Sequence, residues 1–216
     1  MIVYTAGVRS GTLRGLLSVV GVLLLACPAT AEQVAWKIDR AHSNVGFKVR
    51  HMGVSWVRGQ FDDFRGEVTA DASTGRISKV VGLVKTGSVN TGIANRDAHL
   101  RQPDFFASEQ FPEMKIVTRK IDWSGNTFTS RVDLTIRDQT RPVLVEGEFH
   151  GARLLDMGRG PTWRAGYTVR ATIDRQQFGL RFNRIVEGIS VVGNEVAIEL
   201  EIELTRQPTE NLTVTE

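Results

Sequence analysis

Strict alternation of apolar and polar residues is the feature that most constrains the fold of this chain. Between residues 194 and 204 an apolar residue occupies every second position, and glutamate fills most of the positions between. Side chains of a β-strand point alternately to the two faces of a sheet, so this period of two predicts a strand with one buried and one wet face. Residues 44–51, 127–137 and 163–173 repeat the pattern, and the glycine-bearing segment at residues 153–161 is predicted to be a loop. The chain is therefore predicted to be all-β.

The number and order of these segments predict how the sheet is arranged. Eight or nine of them follow one another between residues 33 and 204, with no strand-helix-strand repeat. They form either one antiparallel sheet that closes on itself or two sheets packed face to face. Closure is favoured because long strands leave long edges that a protein must protect from other chains. A barrel of about eight strands is either filled by side chains or holds one small ligand, and the alternation does not choose between these.

Residues 95–106, with the sequence NRDAHLRQPDFF, break the alternation. Their charges are too dense for a buried strand, while Phe105 and Phe106 are too apolar to be left in water. We predict a short helix near residues 93–100, ended before Pro103 because the residue preceding a proline avoids helical dihedrals. The segment, called the lid below, is interpreted as a cover over a mostly apolar interior.

The two termini are predicted to lie outside the domain. Residues 1–31 have a positive start, an apolar run and a small-residue cleavage site, which indicates a signal peptide and a periplasmic protein. The alternative is a lipoprotein anchored through Cys27, whose preceding residues resemble a lipobox. The domain is expected to cover residues 32–205, followed by a polar tail over residues 206–216.

Charge and cysteine content exclude several functional classes. Without Arg9 and Arg14 of the predicted signal, 25 basic residues face 24 acidic ones, a net charge of +1. This balance offers no electrostatic basis for nucleic-acid binding. Cys27 is the only cysteine, so neither a disulfide nor a thiolate metal site is expected. The four histidines have no metal-binding spacing.

Several short motifs resemble the YceI-like family of exported bacterial lipid-binding proteins. The resemblance spans residues 36–204, and the turn at residues 138–141 departs from it because the family more often has glycine there. The main matching residues are Asp39, His42-Ser43, Val49-Arg50-His51-Met52, Val57-Arg58-Gly59, Arg96-Asp97, His99-Leu100, Pro103-Asp104-Phe105-Phe106, Leu134-Thr135-Ile136-Arg137, Ile173-Asp174-Arg175 and Phe178-Gly179.

This resemblance implies a lipocalin-like β-barrel whose apolar cavity holds a polyisoprenoid or similar long-chain amphiphile, without a cofactor and without catalysis. Phe105 and Phe106 would close the mouth, while Arg96 and His99 would meet a polar head. Transient membrane contact and a homodimer are also expected as possible features of such a carrier. The candidate ligand-binding residues are Phe47, Val49, His51, Phe61, Arg96, His99, Phe105, Phe106, Val132, Leu134, Phe149 and Tyr167.

Other interpretations of the same residues stay open at this point. Arg96 and Asp97 equally suit local anchoring of a loop, with that reading favoured for Asp97, and His51 suits a hydrogen-bonded core position. An enzyme acting on an isoprenoid quinone would use His99 and Asp97 as acid and base. A solid barrel that serves as an interaction module is the third hypothesis.

Overall fold

The computed structural model of the chain describes residues 32–208. The predicted signal peptide, Cys27 and residues 209–216 of the predicted tail lie outside the described residues. Within residues 32–208 there is no helix with the length and apolar character needed to cross a bilayer.

The described chain consists of strands joined by short turns, with one α-helix. Three 3₁₀ turns, at Arg40–His42, Thr86–Ser88 and Arg175–Phe178, complete it. The elements are β1 (Gln33–Ile38), β2 (Asn44–His51), β3 (Ser55–Phe61), β4 (Phe64–Asp71), β5 (Ile77–Lys85), β6 (Val89–Asn90), α1 (Ala94–Leu100), β7 (Glu113–Ser124), β8 (Thr127–Ile136), β9 (Gln139–Asp156), β10 (Pro161–Asp174), β11 (Ile185–Val186), β12 (Ile189–Ser190) and β13 (Val192–Arg206).

Eight antiparallel strands close into a barrel in the order β1-β4-β5-β7-β8-β9-β10-β13. The ring is closed where β13 pairs with β1, with Ile38 opposite Leu204. The other half of β13 pairs with β2, which leads on to β3 and β6. The predicted closed barrel of about eight strands is confirmed, and the alternative of two stacked sheets is wrong, since the β1–β13 pairing joins both ends of the strand order.

The buried apolar side chains form two clusters at opposite ends of the strands. Most barrel strands contribute to both: β8, for example, places Phe128 in one cluster and Ile136 in the other. The lid-end cluster includes Phe61, Phe64, Val84, Phe106, Ile136, Phe178 and Leu180. The base cluster includes Trp36, Val68, Ile77, Phe128, Phe149, Tyr167 and Leu204.

Two predicted boundaries differ from the structure. The glycine-bearing segment at residues 153–161 is predicted to be a loop, but β9 continues to Asp156 and β10 begins at Pro161. Register explains this difference, because residues 153–156 pair with residues 161–164 across a four-residue turn. Arg206, assigned to the tail, is instead the last residue of β13, where it is buried and donates a hydrogen bond to the Ala72 carbonyl (2.9 Å).

Candidate functional site

A cavity of about 290 Å³ lies inside the barrel. All eight barrel strands contribute to its wall, together with β2, β3 and the lid, and nearly all of the lining side chains are apolar. The lining reaches from Leu180 and Phe106 in the lid-end cluster to Phe128 and Tyr167 in the base cluster. The interior is therefore hollow along much of its length, which the alternation of the sequence left undecided.

The inward faces of β2 and β13 show how an alternating sequence builds a cavity wall. Val45, Phe47 and Val49 of β2 point inward, as do alternate apolar residues of β13, yet none of these β2 side chains is fully buried. They line the cavity, and Val45 and Phe47 also pack against the edge of the lid-end cluster. A dry apolar space of this kind favours an apolar guest, because water gains too few hydrogen bonds there.

The first turn of the lid is held by a polar network around Thr91. Asp97 is buried, and its carboxylate accepts a hydrogen bond from the Thr91 backbone N–H (2.8 Å) and another from the Thr91 hydroxyl. Arg96 donates from Nε to the Thr91 hydroxyl (2.7 Å) and from Nη2 to the Thr91 carbonyl (2.9 Å). These contacts fix the approach to α1, so both side chains act locally in this structure.

The aromatic residues of the lid extend the cavity wall. The Phe106 ring meets Phe61 edge to face with centroids 5.5 Å apart. Phe105 stacks on Phe182 at 4.9 Å, and His99 lies edge-on to Phe105 at 5.1 Å.

Arg137 Nη1 lies within hydrogen-bonding distance of the carbonyls of Pro103 (3.1 Å), Phe105 (3.1 Å) and Gly179 (2.7 Å). The lid is thus attached to the residues that follow β10.

The structure brings most of the sequence-predicted site residues to the cavity. Whether they contact a ligand remains a prediction. The predicted residues that line it are Phe47, Val49, Phe61, Phe105, Phe106, Val132, Leu134 and Tyr167.

The other four predicted residues are absent from the cavity lining. Arg96 is engaged with Thr91, and Phe149 packs in the base cluster 5.1 Å from the Tyr167 ring. His99 is exposed on the outer side of the lid, where Nε2 lies 2.8 Å from the Asp104 carboxylate. His51 is half-buried at the end of β2, opposite Val192. His51 has the same strand parity as Val49, but it is the last residue of β2 and is not part of the cavity lining.

Arg175 also lines the cavity, although no pattern in the sequence predicts this role for it. Its side chain is only 3% exposed, and burial lowers the pKa of its guanidinium. It donates to three backbone carbonyls, those of Gly193 (2.8 Å), Leu180 (2.6 Å) and Val192 (3.2 Å), and to Asn194 Oδ1 (3.2 Å). The one sequence signal was its place in the motif Ile173-Asp174-Arg175, directly after an alternating strand.

The base of the cavity is closed by aromatic rings. Tyr167 is buried and its hydroxyl donates to the Gly75 carbonyl, while burial raises the pKa of that hydroxyl. Phe128 lies 4.8 Å from Trp123 and 6.4 Å from Tyr167 between ring centroids. Together with Phe149 of β9, these rings come from four different strands, so the base is closed by packed side chains.

One group of potential metal ligands occurs on the described part of the chain. Asp39, His42 and Glu203 can each place one ligand atom within 4.8 Å of the others. The Arg164 guanidinium already contacts both carboxylates, at 3.2 Å from Asp39 and more closely at Glu203. A hydrogen bond from His42 lowers the pKa of the Asp39 carboxyl. The group is therefore an ion-pair network beside the β1–β13 junction, in which a guanidinium already lies between the two carboxylates.

Comparison with known proteins gives consistent matches over this domain. The description of the matching family is "YceI-like domain", and the match covers residues 36–204. A UPF0312 protein of Photorhabdus laumondii is 34% identical over 173 residues, which cover 79% of this chain and 86% of the relative.

Solved structures match over a similar length. The crystal structure of the Campylobacter jejuni YceI protein has a TM-score of 0.62 at 26% identity, covering 78% of this chain and 96% of that one. A structure described as a polyisoprenoid binding domain from Saccharophagus degradans has a TM-score of 0.54 at 14% identity, covering 79% and 98%. The latter likeness concerns the fold alone.

Proposed function

The chain belongs to the YceI-like family, and from that premise we propose that it holds the hydrocarbon tail of a long-chain isoprenoid or similar amphiphilic lipid inside its barrel. The observation that carries the proposal is the apolar cavity of about 290 Å³, which extends from the lid to the base. A barrel of the same fold is described as polyisoprenoid-binding in Saccharophagus degradans. The function proposed is binding and carriage of the lipid.

Hydrocarbon burial alone supplies enough free energy for such binding. Each methylene group moved from water into an apolar site contributes about 0.8 kcal/mol. Ten buried carbons therefore correspond to roughly 8 kcal/mol before the costs of ordering the chain are subtracted. Selectivity for the tail then follows from the length and width of the cavity.

The cellular part of the proposal concerns the periplasm. We propose that residues 1–31 direct export, and that the carrier exchanges its lipid during transient contact with a membrane, as a monomer or a homodimer. Fractionation and the mass of the mature protein test this. A mature chain that begins at Glu32 agrees with soluble export, whereas an acylated chain that begins at Cys27 would show a lipoprotein.

The direct test of lipid binding is organic extraction of the protein purified from its native cells, followed by mass spectrometry. We expect a long-chain lipid in amounts close to that of the protein. Val49 provides a matched variant, since it lines the cavity from β2 and lies opposite Val196 and Val57. Val49→Trp should fill the cavity and lower the amount of lipid, while the β-sheet circular dichroism spectrum stays the same.

Two results would contradict the proposal. One is the absence of long-chain lipid in several independent preparations of the native protein. The other is unchanged lipid content in a folded Val49→Trp protein, which would place the lipid somewhere other than this cavity.

No catalytic step is part of the proposal. Neither the candidate base Asp97 nor the candidate acid His99 lines the cavity. The Asp97 carboxylate accepts hydrogen bonds from Thr91, and His99 lies on the outer side of the lid beside Asp104.

A further inference from the structure

We infer that Arg175 makes the lid end of the cavity a site for an oxyanion, so that the protein selects amphiphiles whose polar end is a carboxylate or a phosphate over those with a neutral hydroxyl. The inference rests on the proposed function, because it concerns the polar end of the lipid held in the same cavity. It assigns the lid end to the headgroup and the base to the end of the tail.

The first step of the argument is the isolation of the charge on Arg175. The side chain is 3% exposed, and its hydrogen-bond partners among residues 32–208 are three carbonyls and one amide oxygen, all of them neutral. The adjacent Asp174 carboxylate acts on Arg175 only through its charge, which raises the pKa of the guanidinium but does not outweigh burial, and it accepts its hydrogen bond from the Gln176 backbone N–H (2.9 Å). A buried cation without a directly contacting anion is costly, and an anion brought beside it relieves that cost.

The second step is the hydrogen-bonding capacity of the guanidinium. An arginine side chain carries five N–H donors. One contact from Nε, one from Nη1 and two from Nη2 account for four of them. One Nη1 donor is therefore left over within the described part of the chain, on a residue that lines the cavity. A carboxylate or phosphate oxygen is the acceptor that a guanidinium binds most strongly.

The third step is that the other polar groups lining the cavity are already satisfied. The Ser130 hydroxyl donates to the Lys120 carbonyl (3.1 Å), the Thr118 hydroxyl lies 3.3 Å from the Val80 carbonyl, and Tyr167 donates to Gly75. Arg65, the other cation in the lining, is exposed and pairs with Glu113 at 2.8 Å. Arg175 is thus the buried charge of the lining that still has a free donor.

The position of Arg175 gives the ligand a direction. Its partners Leu180 and Val192 line the cavity, and Leu180 belongs to the lid-end cluster together with Phe106. Tyr167 and Phe128 line the base, where their rings pack against other aromatic side chains. A headgroup at Arg175 therefore leaves the whole apolar length toward the base for the tail.

The experiment compares three probes that share one tail: farnesol, farnesoic acid and farnesyl monophosphate. Each is titrated into lipid-free protein at pH 7.5, and its dissociation constant is measured by displacement of a fluorescent fatty probe. We expect at least one of the two anions to bind roughly tenfold or more tightly than farnesol, the range of a hydrogen bond to a charged group. Which anion binds more tightly identifies the class of headgroup.

Farnesol binding as tightly as both anions overturns this inference and leaves the proposed function intact. Failure of all three probes to bind counts against the proposed function itself, and the inference falls with it.

Variants separate headgroup recognition from a structural role of Arg175. Arg175→Gln should reduce the ratio of anion to farnesol affinity to near one, while Arg175→Lys should retain part of it. Arg119→Gln is the matched control, because it removes an exposed cation that pairs with Asp133 and does not line the cavity, and it should leave the ratio unchanged. If Arg175 only holds the loop after β10, its variants weaken all three probes alike, and this result overturns the inference. Should Arg175→Gln fail to fold, the ratio measured on the unaltered protein decides.

Discussion

The two ends of this barrel are closed in different ways. At the base, rings from β7, β8, β9 and β10 pack on one another, and the Tyr167 hydroxyl is tied to the β4–β5 turn. At the lid end, closure comes from α1 and the segments after α1 and β10, joined through Arg137 and by the stacking of Phe105 on Phe182. The base is closed by the strands themselves, and the lid end by inserted segments.

This difference indicates which end opens. Regular strand pairing and interlocked rings make opening of the base nearly as costly as unfolding the barrel. The lid segments are joined mainly by side-chain contacts to backbone carbonyls, which exchange readily for contacts with water. We therefore expect entry and exit of a ligand at the lid end, and the predictions below test the contrast between the two ends.

The largest effect is expected at the base. Phe128 is 4% exposed and packs against Trp123 and Tyr167. Phe128→Ala should lower the free energy of unfolding by about 3–5 kcal/mol, through lost apolar burial and the space left behind. Guanidinium denaturation measures this. Phe182→Ala at the lid is the control and should cost clearly less, because Phe182 is only half-buried. Equal losses would remove the contrast between the two ends.

The next effect concerns the anchoring of the lid. Asp97→Ala leaves the Thr91 backbone N–H without its acceptor, and a buried unsatisfied donor costs about 1–3 kcal/mol. We expect faster amide hydrogen exchange across residues 91–100, with the base unchanged. Asp104→Ala removes an exposed partner of His99 and should cost less than about 1 kcal/mol. If the two variants exchange alike, Asp97 does not anchor the lid.

A smaller, pH-dependent effect is expected at the β4–β5 turn of the base. Burial raises the pKa of the Asp71 carboxyl, but hydrogen bonds from Thr74 and Ser73 outweigh it and leave the pKa below its ordinary value. A carboxyl with a lowered folded-state pKa stabilises the protein above its unfolded value of about 3.9, and this stability is lost as pH falls through the folded value.

The variant Asp71→Asn checks this assignment. It should lower stability by about 1 kcal/mol at neutral pH, because charge-assisted hydrogen bonds are replaced by neutral ones. It should also flatten the acid limb of a stability profile between pH 5 and pH 2, measured by urea denaturation. An unchanged acid limb would mean that other carboxyl groups determine it.

The smallest effect is expected on the outer face of the lid. His99 and Asp104 are both well exposed, so His99→Ala should cost no more than about 1 kcal/mol and leave lipid content unchanged. The same variant tests catalysis. Turnover of a quinone or prenyl substrate that is present in the unaltered protein and lost in His99→Ala would favour the enzyme hypothesis.

Much of the barrel was predictable because it depends on local pattern. The alternation placed β2 at its observed bounds, and the break in it, together with Pro103, located α1 to within one residue of its start. The hairpin after β9 was missed because its glycines suggested a loop, whereas the cross-strand register extends the pairing to Asp156. The loop propensity of glycine is a property of single residues, whereas the length of β9 depends on its hydrogen bonds with β10.

Apart from Phe105 and Phe106 of the lid, the predicted residues that line the cavity lie on strands and follow strand parity. Phe47, Val49 and Leu134 reached the cavity wall because side-chain direction alternates along a strand. His99 and Arg96 lie on α1, where strand parity does not predict the direction of a side chain. The Arg96 side chain is held instead by its hydrogen bond to Thr91. Arg137 illustrates the same limit: it adopts a left-handed conformation (φ 58°) after β8, and its side chain reaches carbonyls about thirty to forty residues away.

The sequence by itself determined the strand class, the inward faces and the separate character of the lid, since each depends on a periodicity of two or its interruption. Only the tertiary structure decided that the barrel is hollow and that Arg175 is buried in its wall. Both depend on how far apart facing side chains lie and on which carbonyls converge from residues 180, 192 and 193. Distances across a closed sheet are set by the register of all its strands together, which no single segment encodes.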